Sequence, residues 1–166
     1  MKLNLGCGGR PYPKDKGWLN HDKTKHSNYV DLAWDLSVFP WYDDKGCSND
    51  VVRTPLVGVF TELEARDVLE HLPPDRFFPF FDSCWDLLKP EGELRIQVPQ
   101  QGSENALLDP THWRGFILGS FDILDPRTKF GKHNFWYTTK KWHIQEKYVV
   151  PRSRVNLFIR LKKCTT

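Results

Sequence analysis

The chain has 166 residues, of which 39% are hydrophobic and 27% are charged, and this balance predicts a single globular domain over residues 1–166. Aromatic residues make up 14%, which is too much large apolar surface for a disordered chain. The net charge of +3 is too small to indicate a partner. No segment approaches the roughly 20 apolar residues that cross a bilayer, so we expect a soluble, cytoplasmic protein without membrane contact.

Short apolar segments separated by turns predict the strands of an α/β sheet domain. The first four strands are predicted at residues 2–6, 17–22, 29–32 and 60–66.

One clear helix is predicted in the stretch DRFFPFFDSCWDLLKPEG, because its apolar residues recur at helical spacings and form one face. Asp75 is the expected N-cap, and Pro90 with Gly92 ends the helix. Residues 93–99 then alternate apolar and polar side chains, which predicts a fifth strand.

A long irregular stretch follows at residues 100–130 and holds His, Trp, Arg and Asp together. Loops of this length are usually functional or disordered, and the aromatic content argues against disorder. Two alternating segments, 142–150 and 155–161, then predict an antiparallel hairpin on the sheet edge.

The cysteines give no sign of a metal site. Cys7, Cys47, Cys84 and Cys164 lie far apart, without a C-x-x-C pair or a histidine at zinc-finger spacing. We therefore expect reduced thiols and no metal.

The stretch KLNLGCGGRP predicts a cofactor site, because a strand that stops at glycines places backbone N–H groups at the carboxyl end of a sheet. A dinucleotide fingerprint needs a third glycine where Pro11 stands, so nicotinamide and flavin cofactors are disfavoured. A nucleoside cofactor without a pyrophosphate remains. Asp22, at the end of the next strand, is either an acceptor for its ribose hydroxyls or a simple turn residue.

Six motifs, taken together, resemble small class I S-adenosylmethionine-dependent methyltransferases of the methyltransferase-11 type. In order they are LNLGCG, GWLNHD, VDLAWDLSVFPW, ARDVLEHLPP, LLKPEGELRIQVP and DPTHWRGF, which together span most of Leu3 to Phe121. The resemblance implies S-adenosyl-L-methionine as cofactor and a Rossmann-like, mostly parallel sheet of order 3-2-1-4-5-7-6 with a C-terminal antiparallel hairpin. Prolines after the glycine turn depart from the family pattern and predict a first helix that is short or missing.

The resemblance also implies which residues hold the cofactor. The glycine turn, Leu5 to Gly9, would wrap the methionine and ribose part of the cofactor, and Asp22 would hold the ribose hydroxyls. Asp35 with Leu36 would flank the adenine. The segment after the fourth strand, Asp67 to Leu69, would lie near the methionyl group. These cofactor-binding residues are Leu5, Gly6, Cys7, Gly8, Gly9, Asp22, Asp35, Leu36, Asp67, Val68 and Leu69.

Two histidines are candidate bases for the methyl acceptor. His71 follows the fourth strand, and His112 lies on the long loop expected to cover the pocket. A histidine at a helix start can equally serve only to hydrogen-bond backbone groups. Arg114 is a candidate for binding an acidic substrate group or for pairing with Asp109, and Trp113 either stacks on the acceptor or pins the loop.

Three functions remain open from the sequence. The first is methyl transfer to a small-molecule or sugar-like acceptor. The second is methyl transfer to nucleic acid or protein, because residues 140–163 hold eight Lys or Arg against one acid, although a solvated strand face explains such a run equally well. The third is a non-catalytic binding module, suggested by the shortened first helix. The sequence identifies neither the acceptor atom nor the oligomeric state.

Overall fold

The fold is known from a computed structural model that describes residues 1–41, 56–151 and 155–165; Cys47, Arg152 and Arg154 lie outside these ranges. No helix in these ranges is long and apolar enough to span a membrane. The strands are β1 (Lys2–Leu5), β2 (Trp18–Asp22), β3 (Leu32–Ala33), β4 (Phe60–Arg66), β5 (Leu88–Pro99), β6 (Trp142–Val150) and β7 (Asn156–Lys163), and the α-helices are α1 (Phe77–Leu87), α2 (Glu104–Leu108) and α3 (Lys129–His133).

The strands form one sheet in the order β3-β2-β1-β4-β5-β7-β6. The first five strands of this order pair in parallel, and β7 pairs antiparallel with both β5 and β6. The predicted order, the C-terminal hairpin and the α/β class are therefore confirmed. The central strands are the most buried, since Leu3, Leu5, Leu63 and Ala65 have no exposed surface, as expected for a parallel sheet covered on both faces.

Two strand boundaries differ from the prediction. β3 comprises only Leu32–Ala33 instead of 29–32, because its register is set by pairing with His21 and Asp22 at the end of β2. β5 begins at Leu88, well before the predicted start at residue 93. Leu88 already pairs with Phe60, and an irregularity follows in which Glu91 has a φ of 65°. The sequence pattern missed this extension since Pro90 and Gly92 indicate a turn.

Helix α1 supplies the large side chains of the core. The predicted apolar face comprised Phe77, Phe81, Cys84, Trp85 and Leu88. Phe77, Phe81 and Cys84 are buried, which confirms part of that face. Trp85 is only partly buried, and Leu88 lies in β5, because the helix ends at Leu87. The predicted N-cap at Asp75 is wrong. Asp75 lies in a preceding 3₁₀ turn, and the cap position of α1 has no side-chain hydrogen bond.

The connection between β1 and β2 contains only a 3₁₀ turn at Lys14–Lys16, which ends at Gly17 with a φ of 78°. This confirms the expected short or missing first helix. The buried Asn20 amide replaces helical hydrogen bonds here, because it accepts from the Tyr12 N–H at 2.8 Å and donates to the Tyr12 carbonyl at 2.9 Å. The loop after the glycine turn is thus fixed to β2 by a side chain.

The stretch expected to be irregular, residues 100–130, contains several short helices, and we call residues 100–137 the cover segment. Besides α2 and α3 it forms 3₁₀ helices at Leu118–Leu124 and Phe135–Tyr137. Helix α3 packs so closely on the preceding turn that a Cβ on Gly131 would lie 2.0 Å from the Asp125 carbonyl oxygen. Tertiary contacts and caps therefore define these helices.

Thr128 is the N-cap of α3, since its hydroxyl accepts from the Gly131 N–H at 2.9 Å. We expect Thr128→Ala to lower the free energy of unfolding by about 1 kcal/mol, because a helix N–H loses its acceptor. Urea unfolding followed by circular dichroism measures the change. Thr128→Ser keeps the hydroxyl and is the matched control; an equal loss in both variants would contradict a capping role.

Candidate functional site

A cavity of about 510 Å³ opens at the edge of the sheet where the parallel strands β1, β2 and β4 end. Ligands of open α/β sheets bind at this edge. Seven of the predicted cofactor residues line the cavity, from the turn after β1, the end of β2, the segment after β3 and the segment after β4. They are Gly6, Gly8, Asp22, Asp35, Leu36, Asp67 and Val68.

The glycine turn is shaped by two left-handed residues. Gly6 has a φ of +65° and Gly8 a φ of +51°. A Cβ on Gly6 would lie 2.7 Å from Val68 Cγ2, whereas a Cβ on Gly8 would meet nothing within 4 Å. Gly6 therefore permits close packing of β1 on the segment after β4, while Gly8 leaves room beside the cavity.

Asp22 fixes this turn from β2. Its Oδ2 accepts a hydrogen bond from the Gly8 N–H at 2.6 Å, and its Oδ1 accepts from the Lys23 N–H at 2.7 Å. The Cys7 thiol also lies 3.8 Å from Oδ2, so Oδ1 is the oxygen with an acceptor position left for a ligand hydroxyl. The turn role and the ligand role, which the sequence left as alternatives, are compatible in this geometry.

Asp35 carries a second negative charge on the cavity wall. Its carboxylate accepts from the Ser37 N–H at 2.9 Å and the Ser37 hydroxyl at 2.7 Å, and it forms an ion pair with Lys23 at 2.9 Å. Hydrogen bonds from Lys23 and Ser37 lower the pKa of Asp35 to about 2. Lys23 and Ser37 also line the cavity, and neither was predicted as a site residue.

Asp67 is held in an unusual backbone conformation directly after β4, with a φ of 54°. Its N–H donates to the Gln97 carbonyl at 2.9 Å, which anchors the strained residue to β5. Arg10 lies 3.8 Å from its carboxylate. Burial raises the pKa of Asp67, and Arg10 opposes this.

Four predicted cofactor residues do not line the cavity. Leu5 and Leu69 are buried in the hydrophobic core, and Gly9 is exposed. Cys7 is buried, and its N–H donates to the His21 carbonyl at 2.8 Å. Burial and the nearby Asp22 raise the pKa of the Cys7 thiol to about 11, so it stays protonated.

His21 is a positioning residue that sequence reasoning missed. Its Nδ1 accepts from the Gly6 N–H at 3.3 Å, and its Nε2 lies 3.0 Å from the Trp34 carbonyl oxygen, to which it donates. The ring thus joins the glycine turn to the segment after β3. Its position next to Asp22 at the end of β2 is the only sequence signal for this role.

Burial lowers the pKa of His21 to about 4, so the ring is neutral in the folded protein. An unfolded histidine titrates near 6.5, so acidification protonates the unfolded state first and favours unfolding. We expect His21 to lower the free energy of unfolding by about 2 kcal/mol between about pH 7 and about pH 5. Urea unfolding of wild type and His21→Asn at both pH values measures this difference; parallel pH profiles would contradict it.

The two predicted catalytic histidines lie together at one end of the cavity. Their ring centroids are 4.6 Å apart, and His71 lines the cavity beside Trp113. His71 Nδ1 lies 2.9 Å from the Thr111 hydroxyl, and His112 Nδ1 lies 3.2 Å from the Ala106 carbonyl oxygen. Burial, followed by the neighbouring His112, lowers the pKa of His71.

The predicted ion pair between Arg114 and Asp109 is not found among the residues that the structure describes. Its guanidinium stacks over Phe77 and Phe116 at 5.1 and 5.0 Å, and it lines a separate cavity of about 260 Å³. The Asp109 carboxylate instead accepts from the Thr111 N–H and hydroxyl at 2.8 and 2.7 Å. The structure therefore places Arg114 away from the first cavity.

Glu70, adjacent to His71, was not predicted as a site residue. It has no exposed surface, and burial raises its pKa to about 8. Neither carboxylate oxygen has a hydrogen-bond partner among the residues that the structure describes. Oxygen or nitrogen atoms of Glu70, His71 and His112 lie within 4.8 Å of one another.

Comparison with known proteins supports the fold. No protein-family model and no curated protein matches the sequence. Among solved structures, the chain is similar to a 1,6-didemethyltoxoflavin-N1-methyltransferase from Burkholderia thailandensis with bound 1,6-didemethyltoxoflavin and S-adenosylhomocysteine (TM-score 0.61, 15% identity, 99% of this chain and 71% of that chain). It is also similar to a SAM-dependent methyltransferase from Archaeoglobus fulgidus (TM-score 0.61, 16% identity, 98% of this chain and 85% of that chain). A third similar structure is the N-methyltransferase NodS from Bradyrhizobium japonicum with S-adenosylhomocysteine (TM-score 0.55, 13% identity, 98% of this chain and 76% of that chain). The chain therefore has the Rossmann-like fold of class I S-adenosylmethionine-dependent methyltransferases.

Proposed function

We propose that this chain transfers a methyl group from S-adenosylmethionine to a small-molecule or sugar-like acceptor. The observation that carries the proposal is the cavity at the carboxyl edge of the sheet, which combines the open glycine turn with Asp22 and Asp35. Its volume lies within the range of about 300–1,000 Å³ that small-ligand sites have. Enzymes of the same fold bind S-adenosylhomocysteine in their crystals.

The cavity wall suits a cationic nucleoside cofactor. Asp22 Oδ1 has an acceptor position left for a ribose hydroxyl, and Asp35 with Leu36 offers a polar and an apolar surface for adenine. Asp67 and Val68 lie on the wall after β4, where the methionyl group would bind. Asp35 is paired with Lys23, and Asp67 lies near Arg10. Asp22 has no ion pair within the described ranges, so its charge is the one that favours a ligand with a sulfonium and an ammonium group. S-adenosylmethionine supplies a methyl group on positively charged sulfur, which is open to in-line displacement.

The acceptor would enter beside Trp113. Its side chain is 62% exposed although it lines the cavity, which leaves an indole face available for stacking on a planar or sugar ring. We assign activation of the acceptor group to the cluster of Glu70, His71 and His112, which contains both predicted catalytic histidines. Arg114 is not part of this proposal since it lines the other cavity.

The basic run at residues 140–163 does not favour a nucleic-acid acceptor. Within the described ranges its cations contact acids or carbonyls of the same chain: Lys140 pairs with Asp86, Lys147 with Asp122, Arg160 with Glu93 and Glu146, and Lys162 with Glu91, while Lys141 and Lys163 donate to the carbonyls of Phe135 and Leu88. Paired cations have little charge left for phosphates. A small acceptor is therefore the better proposal.

Isothermal titration with S-adenosylmethionine and with S-adenosylhomocysteine tests the cofactor part of the proposal. We expect both ligands to bind one site per chain. If neither ligand binds at about 1 mM, the binding free energy is weaker than about −4 kcal/mol, and the proposal is overturned.

Transfer itself is tested with S-adenosylmethionine that carries a labelled methyl group, incubated with fractionated cell extract and the protein. We expect label in the small-molecule fraction. Label in the nucleic-acid or protein fraction would favour the alternative acceptors, and cofactor binding without any transfer would favour a non-catalytic module.

A further inference from the structure

Glu70 is a buried carboxyl group. Its side chain is inaccessible, and neither oxygen has a hydrogen-bond partner from another residue within the described part of the chain. Burial of an unpaired polar group is unfavourable, and proteins compensate such groups with hydrogen bonds, opposite charges or metal ions. The neighbouring side chains are His71 and His112, each of which has a ring nitrogen within 4.8 Å of a Glu70 carboxylate oxygen. The buried carboxylate therefore lies beside two imidazoles.

Hydrogen bonds fix the tautomer of both imidazoles. The Ala106 carbonyl oxygen can only accept, so His112 Nδ1 carries the proton and donates to it at 3.2 Å. The Thr111 hydroxyl donates its proton to Asp109 at 2.7 Å and therefore accepts from His71 Nδ1 at 2.9 Å. Both Nε2 atoms are left with a free lone pair. Nδ1 contacts of this kind orient histidines that ligate metals through Nε2.

We propose that Glu70, His71 and His112 form a binding site for one divalent transition-metal ion at the acceptor end of the cavity. Two imidazoles and one carboxylate are a ligand set that suits Zn²⁺, Fe²⁺, Co²⁺ or Mn²⁺ and leaves coordination positions open. A bound metal ion would supply a positively charged partner for the Glu70 carboxylate. The sequence predicts no metal site because it contains no short Cys or His spacing, whereas this set joins residues 70–71 to residue 112 across the cover segment.

The geometry requires only a small adjustment. Ligand atoms about 2.1 Å from a metal lie about 3–3.5 Å apart in tetrahedral or octahedral coordination. The structure places one potential ligand atom of each residue within 4.8 Å of the others, which exceeds this spacing by about 1–2 Å. His71 lies on the cavity wall, and thus an open coordination position is accessible to a ligand in the cavity.

The use of this ion rests on the proposed methyl transfer, whereas its binding does not. An acceptor hydroxyl bound to a divalent cation loses its proton more easily, since the cation stabilises the oxyanion. The proton passes to water, and the oxygen forms the new bond to the methyl carbon. The S–CH₃ bond breaks, and its electron pair remains on sulfur. Acceptors with an oxygen that can reach the metal, such as hydroxyls, form the substrate class that this site favours.

Cobalt titration of the full chain, dialysed against a chelator beforehand, tests the site independently of activity. We expect one Co²⁺ per chain with a visible absorption spectrum, and competition by Zn²⁺. Glu70→Gln, His71→Ala and His112→Ala are each expected to weaken binding by at least about tenfold, as is Thr111→Val, which removes the acceptor for His71 Nδ1. Thr111 is on the exposed side of the cluster, so this variant tests the site without disturbing the buried carboxylate.

His143→Ala is the matched control, because His143 Nε2 lies 3.4 Å from the Cys164 sulfur, and this His–Cys pair is a second place that could attract Co²⁺. We expect this variant to keep the wild-type affinity. The proposal is overturned if wild type binds no Co²⁺ at about 1 mM, or if binding survives in His71→Ala and His112→Ala but is lost in His143→Ala. S-adenosylmethionine titration of the same samples reports on the proposed function separately.

Discussion

Replacement of Asp22 by alanine is expected to weaken binding of S-adenosylmethionine by about 100-fold, which corresponds to about 2.7 kcal/mol. Two losses combine in this variant. The ribose hydroxyls lose a charged acceptor, and such hydrogen bonds contribute about 1.5–3 kcal/mol. The Gly8 and Lys23 N–H groups also lose their partner, so the glycine turn is no longer held to β2. Isothermal titration of the variant measures the affinity.

Two controls separate these losses. Asp22→Asn keeps one acceptor oxygen and is expected to weaken binding by only about tenfold, because the turn keeps part of its support. Asp75→Ala removes an exposed carboxylate whose contact is an ion pair with Arg76, and we expect no change in affinity. Equal affinities for wild type and Asp22→Ala would contradict the assignment of this cavity to the cofactor.

The sheet and the glycine turn were predictable because they leave local signals. Buried strands produce apolar segments bounded by turn residues, and Gly6 and Gly8 occupy positions where side chains would need a left-handed backbone. The prolines at residues 11 and 13 equally exclude a normal helix before β2. The strand order came from the resemblance of the motifs, since periodicity alone does not specify which strands pair.

The cover segment was not predictable in the same way. Helices of five residues are too short to show a periodic apolar face, and α3 depends on the contact of Gly131 with the Asp125 backbone and on the Thr128 cap. Arg114 was misplaced for a related reason. Its charge suggested a carboxylate partner, whereas the fold offers it two aromatic faces, which a guanidinium also binds.

Glu70 shows a further limit of sequence reasoning. It is adjacent to the predicted His71, but nothing local indicates that its carboxylate is inaccessible. The cover segment is held beside it by the hydrogen bond from the Trp113 N–H to the Glu70 carbonyl at 2.7 Å and by the contact between Thr111 and His71. The same segment carries His112, so it supplies the third residue of the candidate metal site.

Gly6→Ala is expected to lower the free energy of unfolding by about 3 kcal/mol. A left-handed backbone disfavours a residue with a Cβ by about 1–2 kcal/mol, and overpacking in a core adds about 1–3 kcal/mol. The overlap is direct, since the new Cβ would lie 2.7 Å from Val68 Cγ2. Val68 is β-branched, which restricts rotation about its χ1 bond, so it does not turn away freely. Urea unfolding measures the loss.

Gly8→Ala separates the two contributions, because Gly8 is also left-handed but has open space around it. We expect this variant to lose only about 1–2 kcal/mol. The double variant Gly6→Ala, Val68→Ala removes the Cγ2 atom that the new Cβ meets, so the two changes together should destabilise less than the sum of the single ones, with a coupling of about 1 kcal/mol. Additive effects would mean that β1 and the segment after β4 do not pack as closely as Gly6 allows. The cavity between the glycine turn and Val68 would then lack the rigid wall that binding at Asp22 requires.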